Sequence, residues 1–346
     1  MGTLWTERAA AAERAVTRRF LHRIGGALPG TRIGRIRSTG ARVLGPWHYW
    51  WQAHLLDCLV DAQLRAPDVR RAAAIAGMVR GVRIRNLGRW TNDYFDDIAW
   101  FGLAVQRAGL RTRPGPRAVA AITTRLGEGH SADGGGGIWW RRGDDFKNAP
   151  ANGPAAILLA RTGDVRSATA LTDWMTDVLV DPASGLVRDG IRLDATGAVR
   201  EVAATTYTYC QGVYLGACVE LAERDGDPRW AERAGRVLEA TAEHLAGPGG
   251  VIGGYDDGGD GGLFNGILAR YLADAAVRRP DLPHARELVL ASAESVWAHR
   301  AEGPTFAHDW RRPARVATAG TPESDLSVQL SGWMLLEAAA RVERGR

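Results

Sequence analysis

The feature that most limits what this chain can fold into is a strict alternation of two kinds of helical stretch. One kind is apolar nearly all round and rich in small residues, at 49–64, 93–108, 150–161, 207–223, 263–276 and 325–341. The other has an apolar stripe and a face of Arg, Glu and Ala, at 6–23, 68–85, 116–126, 165–180, 228–245 and 282–299. A helix apolar on every side belongs inside, and one with a charged face belongs outside. The apolar stretches return roughly every 45 to 65 residues, a period of pattern rather than of identity. Links from inner to outer helix are short (65–67, 109–114, 162–163, 225–227), whereas those from outer to inner are mostly long (25–46, 127–147, 181–206, 247–262, 300–324). The long loops therefore gather on one face, beside the inner-helix N-termini. Strand signals are weak throughout. The expected fold is all-α: an (α/α)6 barrel of six inner and six outer helices, one domain over 1–346, with its cleft at the inner N-termini. Long loops on a rigid scaffold are where function concentrates.

Composition narrows the function classes. With 45% hydrophobic and 24% charged residues the chain reads as globular. No run of about 18 apolar residues suggests a membrane span. The formal charge of +5 comes mostly from dispersed Arg, and Lys147 is the only lysine. Without a helix-turn-helix, zinc or RNP motif, this basicity is read as a solvated surface and not as a nucleic-acid footprint. Cys58, Cys210 and Cys218 lack metal-ligand spacing, and Cys58 and Cys218 sit in apolar runs as expected buried thiols. No metal or cofactor is implied. The first 23 residues lack the apolar core of a secretion signal, so a cytoplasmic protein is expected; a monomer is expected as well.

Chemistry concentrates where the inner helices begin. Their starts read Trp47-His48-Tyr49-Trp50-Trp51, Asp93-Tyr94-Phe95-Asp96-Asp97, Lys147-Asn148-Ala149-Pro150, Thr206-Tyr207-Thr208-Tyr209-Cys210-Gln211-Gly212, Phe264-Asn265-Gly266 and Glu323-Ser324-Asp325. Amides, carboxylates and hydroxyls beside flat apolar rings suit a sugar. Among the 13 tryptophans, the Trp139-Trp140 step is read as a wall or sugar platform. Tyr49, Trp50, Tyr94, Trp139, Trp140, Lys147, Asn148, Tyr209, Gln211 and Asn265 are the candidate substrate contacts. Asp96 and Asp97 are the candidate catalytic pair. Adjacent residues have Cα atoms about 3.8 Å apart, so the carboxyl groups can lie roughly 5 to 5.5 Å apart, the separation of a retaining glycosidase. Two like charges so close cannot both ionise easily. One attacks the anomeric carbon and the other, kept protonated, donates to the leaving oxygen. Asp93 is expected as the N-cap, and the pair Asp93/Asp97 at i,i+4 is the internal rival. The loop Tyr255-Asp256-Asp257-Gly258-Gly259-Asp260 fails the EF-hand spacing and is read as a solvated acidic turn. His48, His54, His130 and His308 show no triad spacing, and His54 is read as core.

Six segments together resemble glycoside hydrolase family 76, the bacterial endo-α-1,6-mannanases: Tyr49-Trp50-Trp51-Gln52-Ala53-His54, Tyr94-Phe95-Asp96-Asp97-Ile98-Ala99-Trp100, Gly136-Gly137-Ile138-Trp139-Trp140, Lys147-Asn148-Ala149, Tyr207-Thr208-Tyr209-Cys210-Gln211-Gly212 and Phe264-Asn265-Gly266-Ile267. They run in order over about 47–275. The resemblance implies an (α/α)6 barrel that cuts α-1,6-mannose chains with retention, with Asp96 as nucleophile and Asp97 as acid/base, and it demotes Asp93. It implies α-mannan or mannooligosaccharide as the partner. The chain departs from the family at Asn152-Gly153-Pro154, where an acid usually stands, and at Cys210, which replaces an amide. A sugar 2-epimerase-like isomerase, a non-catalytic sugar binder and a transglycosylase are the alternative readings.

Overall fold

The computed structural model describes residues 3–39, 45–109, 114–253 and 258–345. In chain order the helices are α1 (Leu4–Phe20), α2 (Tyr49–Arg65), α3 (Val69–Arg85), α4 (Phe95–Arg107), α5 (Gly115–Glu128) and α6 (Ala149–Thr162). They continue as α7 (Val165–Trp174), α8 (Thr208–Arg224), α9 (Pro228–His244), α10 (Phe264–Arg278), α11 (Ala285–His299) and α12 (Leu326–Arg344). The even-numbered helices form the inner ring. Each packs against the next, and α12 closes the ring onto α2. Outer helices α3, α5, α7, α9 and α11 pack behind α2, α4, α6, α8 and α10, and α1 behind α12. This is the (α/α)6 barrel that the alternation predicts. No helix among the described residues is long and apolar enough to cross a membrane.

Burial follows the two sequence patterns. Inner helix α8 is buried continuously from Thr208 to Leu221. Outer helix α9 buries Trp230, Ala234, Val237, Leu238 and Thr241, the one-sided stripe of a 3.6-residue period. Asp68, Asp164 and Asp227 cap outer helices α3, α7 and α9, accepting from the backbone N–H of Arg71, Ser167 and Arg229. The cap expected from Asp93 is not made. Helix α4 starts later, with Tyr94 at the cap position, and the exposed Asp93 pairs with Arg125 at 3.2 Å.

A repeated device ties the long loops down. The fourth residue of α2, α6, α8 and α12 is a buried amide: Gln52, Asn152, Gln211 and Gln329. Each accepts from a loop N–H and returns a hydrogen bond to the same residue's carbonyl, at Gly34, Ile138, Val187 and Phe306 respectively. The amide imitates a strand neighbour, satisfying both backbone groups of a residue that would otherwise be buried unpaired. Gln211 is therefore committed to Val187 and Tyr207 and does not face the cleft as expected.

The charge at the barrel's other end is also organised. Every inner helix carries Arg in its last turn: Arg65, Arg107, Arg161, Arg224, Arg278, and Arg341 with Arg344. A cation there offsets the partial negative charge of the helix C-terminus. These residues meet inward-facing acids. Glu220 pairs with Arg161 at 2.5 Å, Arg224 at 2.6 Å and Arg278 at 2.8 Å, while Asp274 binds Arg341 and Arg161. Burial pushes Glu220 up, but the Arg278 hydrogen bonds and the Arg161 charge outweigh it and hold the carboxyl below its usual range. This part of the Arg content is thus a paired floor, where the sequence suggested a solvated surface.

Two small sheets were not legible as strands. β1 (Leu21–His22) pairs with β2 (Ile33–Gly34), and β3 (Phe146–Asn148), β4 (Gly190–Leu193) and β5 (Val199–Ala203) form an antiparallel sheet in that order. Gly190 lies opposite Asn148, and a Cβ there would come within 2.4 Å of the Lys147 carbonyl, so the close approach requires glycine.

Gln211→Leu keeps the volume but leaves the Val187 N–H and C=O without partners. The expected result is a stability loss of about 2 to 4 kcal/mol, measured by denaturant unfolding; a loss below about 0.5 kcal/mol would mean that the loop is not held by this amide.

Candidate active site

The inner N-termini open into a cleft of about 560 Å³. Five inner helices contribute to it: Tyr49 and Trp50 from α2, Asp96, Asp97 and Trp100 from α4, Asn148 and Pro150 from the start of α6, Tyr209 from α8 and Phe264 from α10. The segments between the helices add His48, Tyr94, Trp140, Asp189 and Asp260 from loops, Phe146 from β3 and Arg192 from β4. A cavity of similar size, about 600 Å³, lies at the floor, but its walls are the mutually paired Arg and acid side chains described above. Of these two, the upper cleft combines carboxyl groups with aromatic walls, so it is the candidate site.

Asp96 and Asp97 occupy the first turn of α4. Asp96 accepts from Trp140 Nε1 through Oδ2 at 3.0 Å and from the Asp97 backbone N–H through Oδ1 at 2.8 Å. Asp97 accepts from Asn92 Nδ2 through Oδ2 at 2.6 Å. Both side chains are half-buried, open to the cleft at one side and enclosed by protein elsewhere. That enclosure strips hydration and raises both carboxyl groups, while the hydrogen bonds to Asp96 act against the rise. Asp97 is driven well above the ordinary range, by burial first and by the neighbouring Asp96 second. The two acids are thus pushed apart in character, with the better-solvated-by-donors Asp96 the easier to ionise and Asp97 the easier to keep protonated.

The walls are fixed by backbone as much as by rings. Phe95 N–H donates to the Trp140 carbonyl at 2.9 Å, and Trp140 N–H donates to the Phe146 carbonyl at 2.8 Å. Trp140 is therefore pinned between α4 and β3, with its indole aimed at Asp96. Tyr94 stands edge-on to Trp140 at 5.3 Å. On the opposite side Tyr209 stacks flat on Phe264 at 3.9 Å. Tyr49 donates to the Trp90 carbonyl at 2.7 Å. His48, ahead of α2, holds a left-handed backbone with φ of 37°, a strained conformation for a non-glycine residue, and stacks on Trp51 at 4.6 Å.

Of the twelve candidate residues, the structure brings Asp96, Asp97, Tyr49, Trp50, Tyr94, Trp140, Asn148 and Tyr209 to the cleft and turns four away. Besides Gln211, Asn265 is buried, accepting from Thr208 Oγ1 at 2.8 Å. Trp139 does not line the cleft; its ring lies 4.5 Å from Lys147 Nζ and packs on the core. Lys147, the chain's sole lysine, is fully buried. Its ammonium donates to the carbonyls of Ser131, Asp133, Gly136 and Gly137 and to Ser131 Oγ. It knots the glycine-rich loop instead of facing a ligand. Gly137 sits at φ of 82° with its Cα against the Trp174 ring, where a Cβ would come within 2.7 Å.

The sequence reading missed Asp189, Asp260, Arg192 and Phe146. Asp189 accepts from Tyr209 OH at 3.2 Å, and burial lifts its carboxyl to about 6. The buried Cys210 thiol lies 3.8 Å from the same carboxylate. Asp260 accepts from Trp50 and Trp51 Nε1, so this end of the acidic loop is part of the cleft and not merely a solvated turn. Tyr255, Asp256 and Asp257 lie outside the described residues. Gly190-Ile191-Arg192-Leu193 alternates in the way a strand requires, but that signal does not say which segment the strand pairs with, and so does not place Asp189 or Arg192 beside the site. His54 is core, buried between Trp50 and Trp100. No cluster of metal-ligating side chains occurs among the described residues.

Fold and site together define a class: an (α/α)6 barrel with adjacent carboxyl groups beneath an aromatic-walled cleft at the inner N-termini. Within that class the chain belongs to glycosyl hydrolase family 76, whose family model matches residues 8–340. It is similar to the GH76A α-1,6-mannanase of Salegentibacter sp. HEL1_6, with 30% identity and a TM-score of 0.87 over 98% of this chain and 99% of that one. An inactive variant of that mannanase, with aspartates at two successive positions replaced by asparagine, forms a complex with α-1,6-mannotriose, and its structure matches with 29% identity and a TM-score of 0.87 over 98% of this chain and 99% of that one. The mannan endo-1,6-α-mannosidase DCW1 of Candida glabrata is 30% identical over 56% of this chain and 50% of its own length. The chain thus spans about half the length of that yeast relative.

Two outcomes follow from the site's geometry. Lys147→Arg cannot fold its planar guanidinium into a ring of four carbonyls; a loss of about 3 kcal/mol or more in unfolding free energy is expected, and wild-type stability would show that the ammonium is not the knot. For Asp97, the folded carboxyl is raised above its unfolded value. The group costs nothing while neutral in both states, and the folded protein loses stability as pH climbs from the unfolded value towards the folded one. Asp97→Asn lacks this loss. Its melting temperature should equal the wild type's near pH 4 and exceed it increasingly towards pH 8; a wild type more stable than the variant at pH 8 would contradict the assigned shift.

Proposed function

We propose that this protein is a retaining glycosidase that cleaves α-1,6-linked mannose chains. The observation that carries the reading is the adjacency of Asp96 and Asp97 at the cleft floor with unlike partners. Asp96, supplied with two N–H donors, is the nucleophile. One of its oxygens bonds to the anomeric carbon as the glycosidic C–O bond breaks, and Asp97 gives its proton to the departing sugar oxygen. In the second half Asp97, now a carboxylate, takes a proton from water. The water oxygen attacks the anomeric carbon and the Asp96–sugar bond breaks, restoring both carboxyl groups.

The surroundings support this assignment. Trp140 and Tyr94 on one side and Tyr209 with Phe264 on the other offer the apolar faces that a pyranose ring packs against. Asn148 and Asp189 supply polar groups for its hydroxyls. The mannanase relative is inactive when two successive aspartates become asparagine, and that variant holds α-1,6-mannotriose, which favours the same linkage here. An epimerase would need imidazole bases at the reacting carbon. Among the described histidines only His48 lines this cleft, and His54 is sealed among rings.

The test is turnover of linear α-1,6-mannooligosaccharides. Asp96→Asn and Asp97→Asn are each expected to lower kcat by roughly 10³-fold or more, with circular dichroism and melting showing intact folding. Full turnover in either variant would remove the mechanism.

A further inference from the structure

We propose that Asp260 is a positioning residue for this reaction, resting on the glycosidase reading above: it fixes the Trp50 and Trp51 indoles as one wall of the cleft and places a third negative charge facing Asp96 and Asp97. The geometry is specific. Trp50 and Trp51 are consecutive in the first turn of α2, so their side chains leave the helix in different directions. Their ring N–H groups nonetheless converge on one oxygen, Asp260 Oδ1, at 3.1 and 2.8 Å. Trp51 is buried and braced by His48, whereas Trp50 lines the cleft. One acceptor therefore couples a core indole to a wall indole.

The acceptor is itself anchored. It lies in the short turn Gly259–Leu263 directly before α10. Gly259 N–H donates to Asp325 Oδ2 at 2.9 Å, and Arg37 Nε holds Asp325 Oδ1 at 3.1 Å. Gly258 leaves no room for a side chain, since a Cβ there would approach the same Asp325 oxygen to 2.7 Å. Arg37, Asp325, the turn, Asp260 and the two indoles thus form a continuous chain from one rim of the barrel to the cleft.

Asp260 also acts on the pair through space. Its charge raises both Asp96 and Asp97, as a smaller contribution after burial. The Trp50 backbone amide opposes that rise at Asp97, so the residue that Asp260 orients is also one that stabilises the Asp97 anion. The other titratable or charged groups lining the cleft with the pair are Tyr49 and His48 from the α2 side, Tyr209 from α8, Arg192 from β4 with Asp189 just before it, and Tyr94, which Arg141 hydrogen-bonds from outside the cleft. Arg192 is paired with Asp145 at 2.6 Å, and Asp189 is half-buried under Tyr209. Asp260 is the exposed carboxylate among the four in the cleft.

Two substitutions separate the two parts of the role. Asp260→Asn keeps a side-chain oxygen for the indoles and removes the charge. Both limbs of its kcat/KM–pH profile on α-1,6-mannooligosaccharide should move to lower pH by about half a unit, with KM within about twofold of wild type. Asp260→Ala loses the acceptor as well, and its KM should rise on the order of tenfold as the Trp50 wall loosens. Asp260→Glu, which keeps the charge, should retain the wild-type profile. Carboxyl ¹³C NMR titration of the unliganded protein reads the pair without any turnover. A shift of the Asp96 and Asp97 titrations in Asp260→Asn, together with a wild type inactive on α-1,6-mannooligosaccharide, would sustain the coupling and sink the α-1,6-mannanase reading. An unchanged pH profile and unchanged carboxyl titration in Asp260→Asn, or an unchanged KM in Asp260→Ala, would overturn the proposal.

Discussion

Six inner helices that point the same way must put six partial positive charges at one end of the barrel and six partial negative charges at the other. The chain answers this polarity at both ends. Arg residues close every inner C-terminus and are locked into acids at the floor. Carboxyl groups collect at the N-terminal end, where Asp96, Asp97, Asp189 and Asp260 share one cleft with a single, already paired, arginine. The free N–H groups of the first turns make clustered acids tolerable at that end without matching cations. Two adjacent half-buried aspartates would be costly elsewhere; here the backbone of α4 and α2 supplies part of their solvation.

Such a cleft is useful only if the loops above it keep their places. Buried amides on α2, α6, α8 and α12 hold the loops to the helix starts, and Lys147 draws the glycine-rich turn together beneath Trp139. The result is that Trp140 reaches Asp96 from a loop with the precision of a helix-borne residue. Removing hydration from a carboxylate requires walls that do not relax, and these hydrogen bonds are what keep the walls in position.

The architecture was largely legible because helix burial leaves a periodic trace. The inner stretches were recognisable from their lack of a polar face, and the observed ends of α2, α3 and α9 fall within about one residue of the pattern. The Asp96-Asp97 step stood out because acids are rare in an apolar helix start. Residue type at a helix start does not reveal direction, however. Lys147, Gln211 and Asn265 carry the groups a sugar would need, but each spends them on backbone or on a neighbour. Asp93 looked like a cap because it precedes the apolar run, yet the bond from Phe95 to the Trp140 carbonyl starts the helix later. Asp189 and Asp260 were hidden for a different reason. They lie in long loops whose path is set by pairing between distant segments, as in the β3–β4 register, and no local pattern encodes that.

The central claim is that neighbouring carboxyl groups on α4 divide the work of a double displacement, one forming a bond to the sugar and the other moving the proton. The most direct measurement is ¹H NMR of the first hemiacetal released from an α-1,6-mannooligosaccharide, recorded before mutarotation. An α-anomer appearing first is the outcome this account predicts, because two displacements restore the starting configuration. A β-anomer appearing first would mean a single displacement by water, which the Asp96–Asp97 pair as described could not perform.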